Sequence, residues 1–347
     1  MIDEECLQRP WIEHQAARLQ VRDKLLLERC IHALDLVARL QHEGLNFVFK
    51  GGTSLVLHLQ PLRRLSIDVD IACTASLEQI KRALDAVIYP RRTFTRYAHQ
   101  DHRDRDEPPT KHFLIHFNSA VRPGFESHIL LDVLFEPAVY PVIVEMDLAT
   151  DFIQTTGRTP VRVPTVDCLL GDKLAAFAPR TIGVLQDPPP NRAGDPLEPQ
   201  QTRVAKQLYD VGELFTVAHS LDAVRRTYEA IRPLQNEWRG KNYSMEETLR
   251  DTLDAAYWFS QRGLKYGEEH AMSEFLHLGV GNLDSHLVGP GWSVPAAKAS
   301  AGRAACLAAM MLGRARESLT DVRRRRGEGD FGAISGDLLV GRYERLR

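Results

Sequence analysis

Two carboxylates stand two residues apart in the run Ser66-Ile67-Asp68-Val69-Asp70. In an extended chain successive side chains alternate, so Ser66, Asp68 and Asp70 share one face while Ile67, Val69 and Ile71 point into a core. Like charges this close repel unless a cation lies between them, and Mg²⁺ is a hard ion that prefers carboxylate and phosphate oxygens. Phosphoryl and nucleotidyl transfer use this arrangement, because the metal neutralises a triphosphate and activates the attacking oxygen. A D-x-D pair alone is commonly just a solvated strand face. What sets this one apart is the preceding Lys50-Gly51-Gly52-Thr53-Ser54-Leu55. There, residues without side chains let backbone N–H groups approach phosphates at a helix amino terminus. Lys50, Gly51, Gly52, Thr53 and Ser54 are therefore candidate nucleotide contacts. The G-K-[ST] ending of a Walker loop is missing.

Arg63 and Arg64 lie just ahead of the acidic strand, and Arg64 is a candidate phosphate clamp. Ser66 joins the nucleotide-side set. A phosphate on its hydroxyl would place up to about −2 charge where metal and triphosphate must sit, a hypothesis for inactivation. A third acid is wanted, and Asp132 in the apolar run Ile129 to Phe135 is the best candidate, as metal ligand or general base. The alternative is an edge-strand aspartate paired with an arginine, with Glu136 then the fallback acid.

Several elements must position these groups. Apolar residues from Trp11 to about Glu43 recur at helical spacing, predicting one or two amphipathic helices closed by Gly44. Leu45 to Phe49 reads as a strand running into the glycine turn, and Thr53 as the cap of a helix over Ser54 to Gln60 that Pro61 breaks. Leu65 to Cys73 reads as a second strand. Lys111 to Asn118 and His128 to Phe135 are further strands, consistent with an antiparallel continuation of the sheet. Thr165 to Pro179 predicts a capped helix on that core. Residues 183–200 carry five prolines and two glycines and read as a loop or hinge. Beyond it the pattern is mainly helical, broken at Gly279 to Trp292. The expected division is 1–44 amino-terminal helices, 45–182 core, 183–200 hinge and 201–347 helical domain: an α+β protein.

At 347 residues two cores are expected. No stretch approaches a membrane span, and the acidic start Met-Ile-Asp-Glu-Glu is unlike a secretory signal, so a cytoplasmic location with no membrane partner is expected. The five cysteines form no C-x-x-C pair, which disfavours zinc and redox chemistry. Formal net charge is −2, so a polyanion needs a local basic patch. Candidates are Arg91, Arg92 and Arg96, with Tyr97 for stacking, and the run Arg323 to Arg326. The thirteen histidines lack metal-ligand spacing and read as structural; His112 and His116 are too far apart on a strand for one metal. No G-x-S-x-G or other nucleophile signature appears, which disfavours hydrolase chemistry.

The order K-G-G-T-S-L, then R-x-S-x-D-x-D, resembles the AbiEii/AbiGii toxin family of nucleotidyltransferases, within the DNA polymerase β-like superfamily. The resemblance implies a nucleotidyltransferase-like mixed or antiparallel sheet with flanking helices, followed by a helical domain. It also implies a lysine on a helix, matched by Asp167-x-x-x-x-Asp172-Lys173, with Lys173 the nucleotide-phosphate ligand. A basic residue ahead of a tyrosine-aspartate pair is matched by Lys206-Gln207-Leu208-Tyr209-Asp210, with Asp210 the candidate base or organiser. The first aspartate of the common R-D-x-Y-D form is Gln207 here, so only Asp210 carries over. Membership implies the toxin of a toxin–antitoxin pair with a cognate antitoxin partner. It implies an NTP donor, often a pyrimidine, Mg²⁺ or alternatively Mn²⁺, and an RNA acceptor, the 3′ end of tRNA, whose modification blocks translation. Nucleotide transfer to a protein hydroxyl and a catalytically inactive binding module are the competing expectations.

Overall fold

The computed structural model describes residues 1–89, 93–100, 110–188, 200–264, 270–313 and 318–327, by backbone alone at 100 and 324–327. The first half is built on a five-stranded sheet of β1 (Val48–Lys50), β2 (Val69–Ala72), β3 (Arg96–Gln100), β4 (Thr110–Asn118) and β5 (Glu126–Leu134). The strands lie in the order β1-β2-β5-β4-β3, and only the β2–β5 pair is parallel. The sheet is therefore mixed. β6 (Ile143–Asp147) and β7 (Pro160–Pro164) form a separate antiparallel pair.

Alternation decides which sheet face is covered. Ser127, Ile129, Leu131 and Val133 of β5, with Phe113, Ile115 and Phe117 of β4, are buried. All but Ser127 join one apolar cluster with α1 (Arg9–Leu19), α2 (Lys24–His42) and α4 (Leu77–Ile88). α2 starts where the Asp23 carboxylate accepts from Leu25 and Leu26 N–H, and α4 where Ser76 and Gln79 close a capping box. Gly44, at φ +76°, ends the α2 segment as expected.

The second half consists of α5 (Val166–Ala176), α6 (Gln201–Val217), α7 (Leu221–Trp238), α8 (Met245–Ser260), α9 (Ala271–Leu283), α10 (Val294–Leu312) and α11 (Leu319–Gly327). The Thr165 hydroxyl caps α5 as expected. The helix packs elsewhere than on the sheet: Leu169, Leu170, Leu174 and Phe177 join Val204, Leu208, Val211 and Val224 in the helical cluster. Gly279 does not break α9, because its bare backbone lies against the carbonyl of Gln201 and lets α9 approach α6. Most of the proline-rich segment expected to form a hinge, 189–199, lies outside the described residues.

A shared helix and a main-chain strap are among the connections that join the halves. α3 (Gly51–His58) gives Val56 and Leu57 to the sheet cluster and Leu55 and Leu59 to the helical one. A strap after α9 binds the first half by main chain: Leu65 N donates to His286 O at 2.7 Å, Val288 N to Arg63 O at 3.1 Å and Gly289 N to Leu19 O at 3.2 Å. Asp284 of the strap also pairs with Arg22.

Gly171 of α5 sets the spacing to α7. A Cβ there would lie 2.5 Å from the carbonyl oxygen of Val224 and 2.9 Å from Thr227 Cβ. Gly171→Ala therefore forces the helices apart, at about 1–3 kcal/mol beyond the ~1 kcal/mol that alanine gains in helix propensity. Thermal denaturation should show a lower midpoint for this variant than for wild type.

Candidate active site

β1 ends at Lys50 and the chain turns into α3 through Gly51, at φ +74°. A side chain is excluded there twice over, since a Cβ on Gly51 would overlap the Asp70 carboxylate. A Cβ on Gly52 would lie 2.8 Å from Arg64 Nη2 and 2.9 Å from Ser66 Oγ. The glycine pair is thus packed against Asp70 on one side and against Arg64 and Ser66 on the other. The first N–H groups of α3 have no partner within the helix, and they open beside the carboxylates.

Thr53 and Ser54 act differently from expectation. Both are fully buried, and their hydroxyls donate to the carbonyls of Asp68 and Gly51. Thr53 is not the cap of α3, which begins at Gly51 after Lys50. These side chains hold the loop, leaving only backbone N–H groups to meet a phosphate.

The acidic strand is shorter than expected, since β2 starts at Val69 and Ile67 stays half-buried outside the sheet cluster. Asp70 faces Lys50 across the β1–β2 pair, Asp132 across the parallel β2–β5 pair, and through it His112 of β4. Lys50, Asp70, Asp132 and His112 therefore form one row across four strands, each about 4.8 Å from the next. Asp132 pairs with no arginine among the described residues: its Oδ1 lies 2.6 Å from His112 Nδ1. That bond brings His112 beside the candidate acids, a partner visible only once the strand register was known.

Asp68 and Asp70 are both half-buried and open to solvent. The Asp70 carboxyl is pushed up to about 6, first by burial and then by the negative charges of Asp132 and Asp68, with Lys50 and Lys173 pulling the other way. Asp68 is also raised, by burial first, while Lys206 opposes the shift, Asp132 adds to it, and Arg29 and Arg203 oppose it. Carboxyls that burial and neighbouring negative charge make costly to ionise, as at Asp68 and Asp70, are candidates to hold a divalent cation. Among the described residues no three His, Cys, Asp or Glu side chains form a complete metal cage.

Arg64 is not free to clamp phosphate. It is buried, with Nε 2.7 Å from Asp210 Oδ1 and Nη2 2.6 Å from Asp210 Oδ2. Lys173, buried on α5, adds a bond of 3.2 Å to Asp210 Oδ2 and donates to Gln207 Oε1 at 3.2 Å. Burial pushes the Asp210 carboxyl up, but Arg64 and then Lys173 outweigh it and hold the group below the usual carboxylate range. Both Asp210 oxygens are thus engaged by cations. Two of the three N–H donors of Lys173 are used, leaving one for a phosphate. Asp167 and Asp172 are structural: Asp167 accepts the N–H groups of His219 and Ser220 at the start of α7, and Asp172 accepts from Tyr140 at 2.8 Å.

Lys206, one turn ahead of Asp210, is a site residue quoted in the sequence motif but not singled out there. Burial first, and then Arg64, lowers its ammonium to about 8. Arg29 of α2, beside Asp68, carried no sequence signal at all. The proposed docking residues separate. Arg91 and Arg92 lie outside the described residues, as do the side chains of Arg324 to Arg326. Arg323 donates to the carbonyls of Phe215 and Ala218 at the end of α6. Arg96 is exposed and paired with Glu126, whereas Tyr97 points to the opposite, helix-covered face, edge-on to Phe113 and bonded to Asp85.

A mixed sheet bearing converging carboxylates beside a glycine turn, backed by a helical half, is a nucleotidyltransferase fold. A solved structure of that kind, MenT4, a nucleotidyltransferase toxin from Mycobacterium tuberculosis H37Rv, superposes with a TM-score of 0.51 at 15% identity, covering 90% of this chain and 94% of that one. The family described as nucleotidyl transferase AbiEii toxin, type IV TA system, matches residues 35–274. The chain belongs to this family and is a nucleotidyltransferase toxin of a toxin–antitoxin system. No curated protein matches. No helix among the described residues is long and apolar enough to cross a membrane.

Two outcomes are expected. Because the folded pKa of Asp70 lies above its unfolded value, its contribution to stability is present in acid and is lost as pH rises from about 4 through about 6. Asp70→Asn should therefore raise the thermal midpoint of the metal-free protein at neutral pH by a few degrees while abolishing transfer, and the gain should vanish near pH 4. Asp210→Ala leaves Arg64 and Lys173 buried and unpaired and should cost about 3–5 kcal/mol by denaturant unfolding.

Proposed function

We propose that this protein transfers a nucleoside monophosphate from an NTP, a pyrimidine nucleotide, to the 3′ end of a tRNA, and so blocks translation. The observation that supports this most is the row in which Asp70 and Asp132 meet beside Asp68 and the start of α3. The acceptor hydroxyl attacks the α-phosphorus, the bond to the β-phosphate breaks, and pyrophosphate leaves. Asp68, Asp70 and Asp132 would hold Mg²⁺, which when bound neutralises the triphosphate and favours the attacking oxygen. The N–H groups of Gly51 to Ser54 receive the β and γ phosphates, and the remaining donor of Lys173 faces the charge that develops as the bond breaks. Lys50 holds the ionised form of Asp70. The second oxygen of Asp132 is available to a metal ion or to the proton of the acceptor hydroxyl. Arg64 and Asp210 keep the glycine turn and the acidic strand in place. Ser66, next to Gly52, is the position where phosphorylation would exclude the triphosphate.

Incubation of purified protein with each labelled NTP, Mg²⁺ and total RNA tests this. Wild type should label tRNA with one pyrimidine nucleotide, and Asp68→Ala should lower the rate by at least about a hundredfold. Label in a protein band, or undiminished transfer by Asp68→Ala, overturns the reading.

A further inference from the structure

The face of β5, β4 and β3 opposite α2 and α4 is uncovered among the described residues and runs directly away from the carboxylates. Along β5, Asp132 is followed on this face by Leu130 and then His128, and each is half-exposed where its core-side neighbours are buried. Leu114 pairs with Leu130 and His116 with His128 on β4, placing two half-exposed leucines side by side between the acidic row and a pair of imidazoles. The His116 and His128 rings lie 5.8 Å apart between centroids. His128 spends its carbonyl on Arg29 Nε at 3.0 Å, which fixes the guanidinium between this face and Asp68.

We propose that this face receives the single-stranded end of the nucleic acid acceptor, its bases against Leu130, Leu114 and His128 and its last phosphates against Arg29 and Lys206. The inference rests on the transfer reaction proposed above and specifies where its second substrate lies. Three arguments converge. Asp132 to His128 spans about 13 Å at ~3.3 Å per residue, a length of open sheet on which RNA-recognition modules stack two or three bases. Apolar side chains and imidazoles accept the flat face of any base, and burial keeps both histidines below their usual pKa, so the rings are neutral at physiological pH. The charge arrangement also fits. The terminal guanidinium nitrogens of Arg29 and the ammonium of Lys206 have no hydrogen-bond partner among the described residues, although both flank Asp68. Cations that share one carboxylate neighbour, Asp68, and make no hydrogen bond to it among the described residues favour a polyanion. A peptide acceptor would bring no repeating anion to meet them. A strand lying this way delivers its terminal hydroxyl to Asp132 and Asp70, opposite the triphosphate at the α3 amino terminus.

The test measures fluorescence anisotropy of a short, labelled single-stranded RNA with wild type, Leu130→Glu and Arg29→Gln, alongside thermal stabilisation by Mg²⁺ and NTP. Both variants should bind RNA about tenfold or more weakly. Arg29→Gln should also reduce the slope of log affinity against log salt by about one. Stabilisation of Leu130→Glu by Mg²⁺ and NTP should match wild type, showing that the fold and the donor site are intact, and Arg29→Gln should keep the wild-type fold by circular dichroism. RNA affinities within about twofold of wild type in both variants overturn the docking face. If wild type nevertheless labels RNA, the transfer reaction stands without it; if wild type labels no RNA, both readings fall.

Discussion

The fork between Arg64 and Asp210 is the interaction on which the rest of the site depends. It joins the segment leading into the acidic strand to α6 of the helical half, 146 residues away in sequence. A buried ion pair is a poor source of net stability, since desolvation offsets much of the attraction. What it supplies here is geometry. Arg64 lies under Gly52 beside Ser66, and Asp210 also holds Lys173, so one carboxylate orients the glycine turn, the acidic strand and the buried lysine together.

Around this fixed point the charges are sorted by side. Asp132 adds to the raised pKa of Asp68 and of Asp70 from the sheet side, while Arg29, Lys206, Arg64 and Lys173 approach from α2, α6, the loop before β2 and α5 respectively. Neither set neutralises the other completely, because Arg64 and Lys173 are committed to Asp210. The result is a cleft with carboxylates on one side and cations on the other. The proposed metal-bound triphosphate and polynucleotide would set opposite charge against each.

Much of this was legible in the sequence because local spacing encodes it. The glycine turn and the alternation of β4 and β5 depend on neighbours within ten residues and stand in the structure, whereas the strand expected from Leu65 begins only at Val69, within the D-x-D pair. The outcomes that differed turn on contacts between distant segments. Nothing near Arg64 in sequence announces that its partner is Asp210, so it read as a phosphate clamp. The place of His112 beside Asp132 was hidden because its partner on the neighbouring strand is set by register, and register is invisible without the fold. Thr53 looked like a helix cap by residue type, yet its hydroxyl is taken by Asp68, a residue that folds back over the turn. α5 read as a cover for the sheet because an amphipathic pattern says that one face is buried but not against what.

The strap of residues 284–289 carries a consequence for synthesis. A chain emerging from the ribosome delivers its amino-terminal half first. The carboxylates, the glycine turn and the lysine of α5 are then already outside, but Leu65 still lacks the carbonyl of His286, and Arg63 the N–H of Val288. The main-chain bonds that secure the loop carrying Arg64 form only once the polypeptide has been made past residue 288. A product that stops short of that point is left with this loop untied on its strap side.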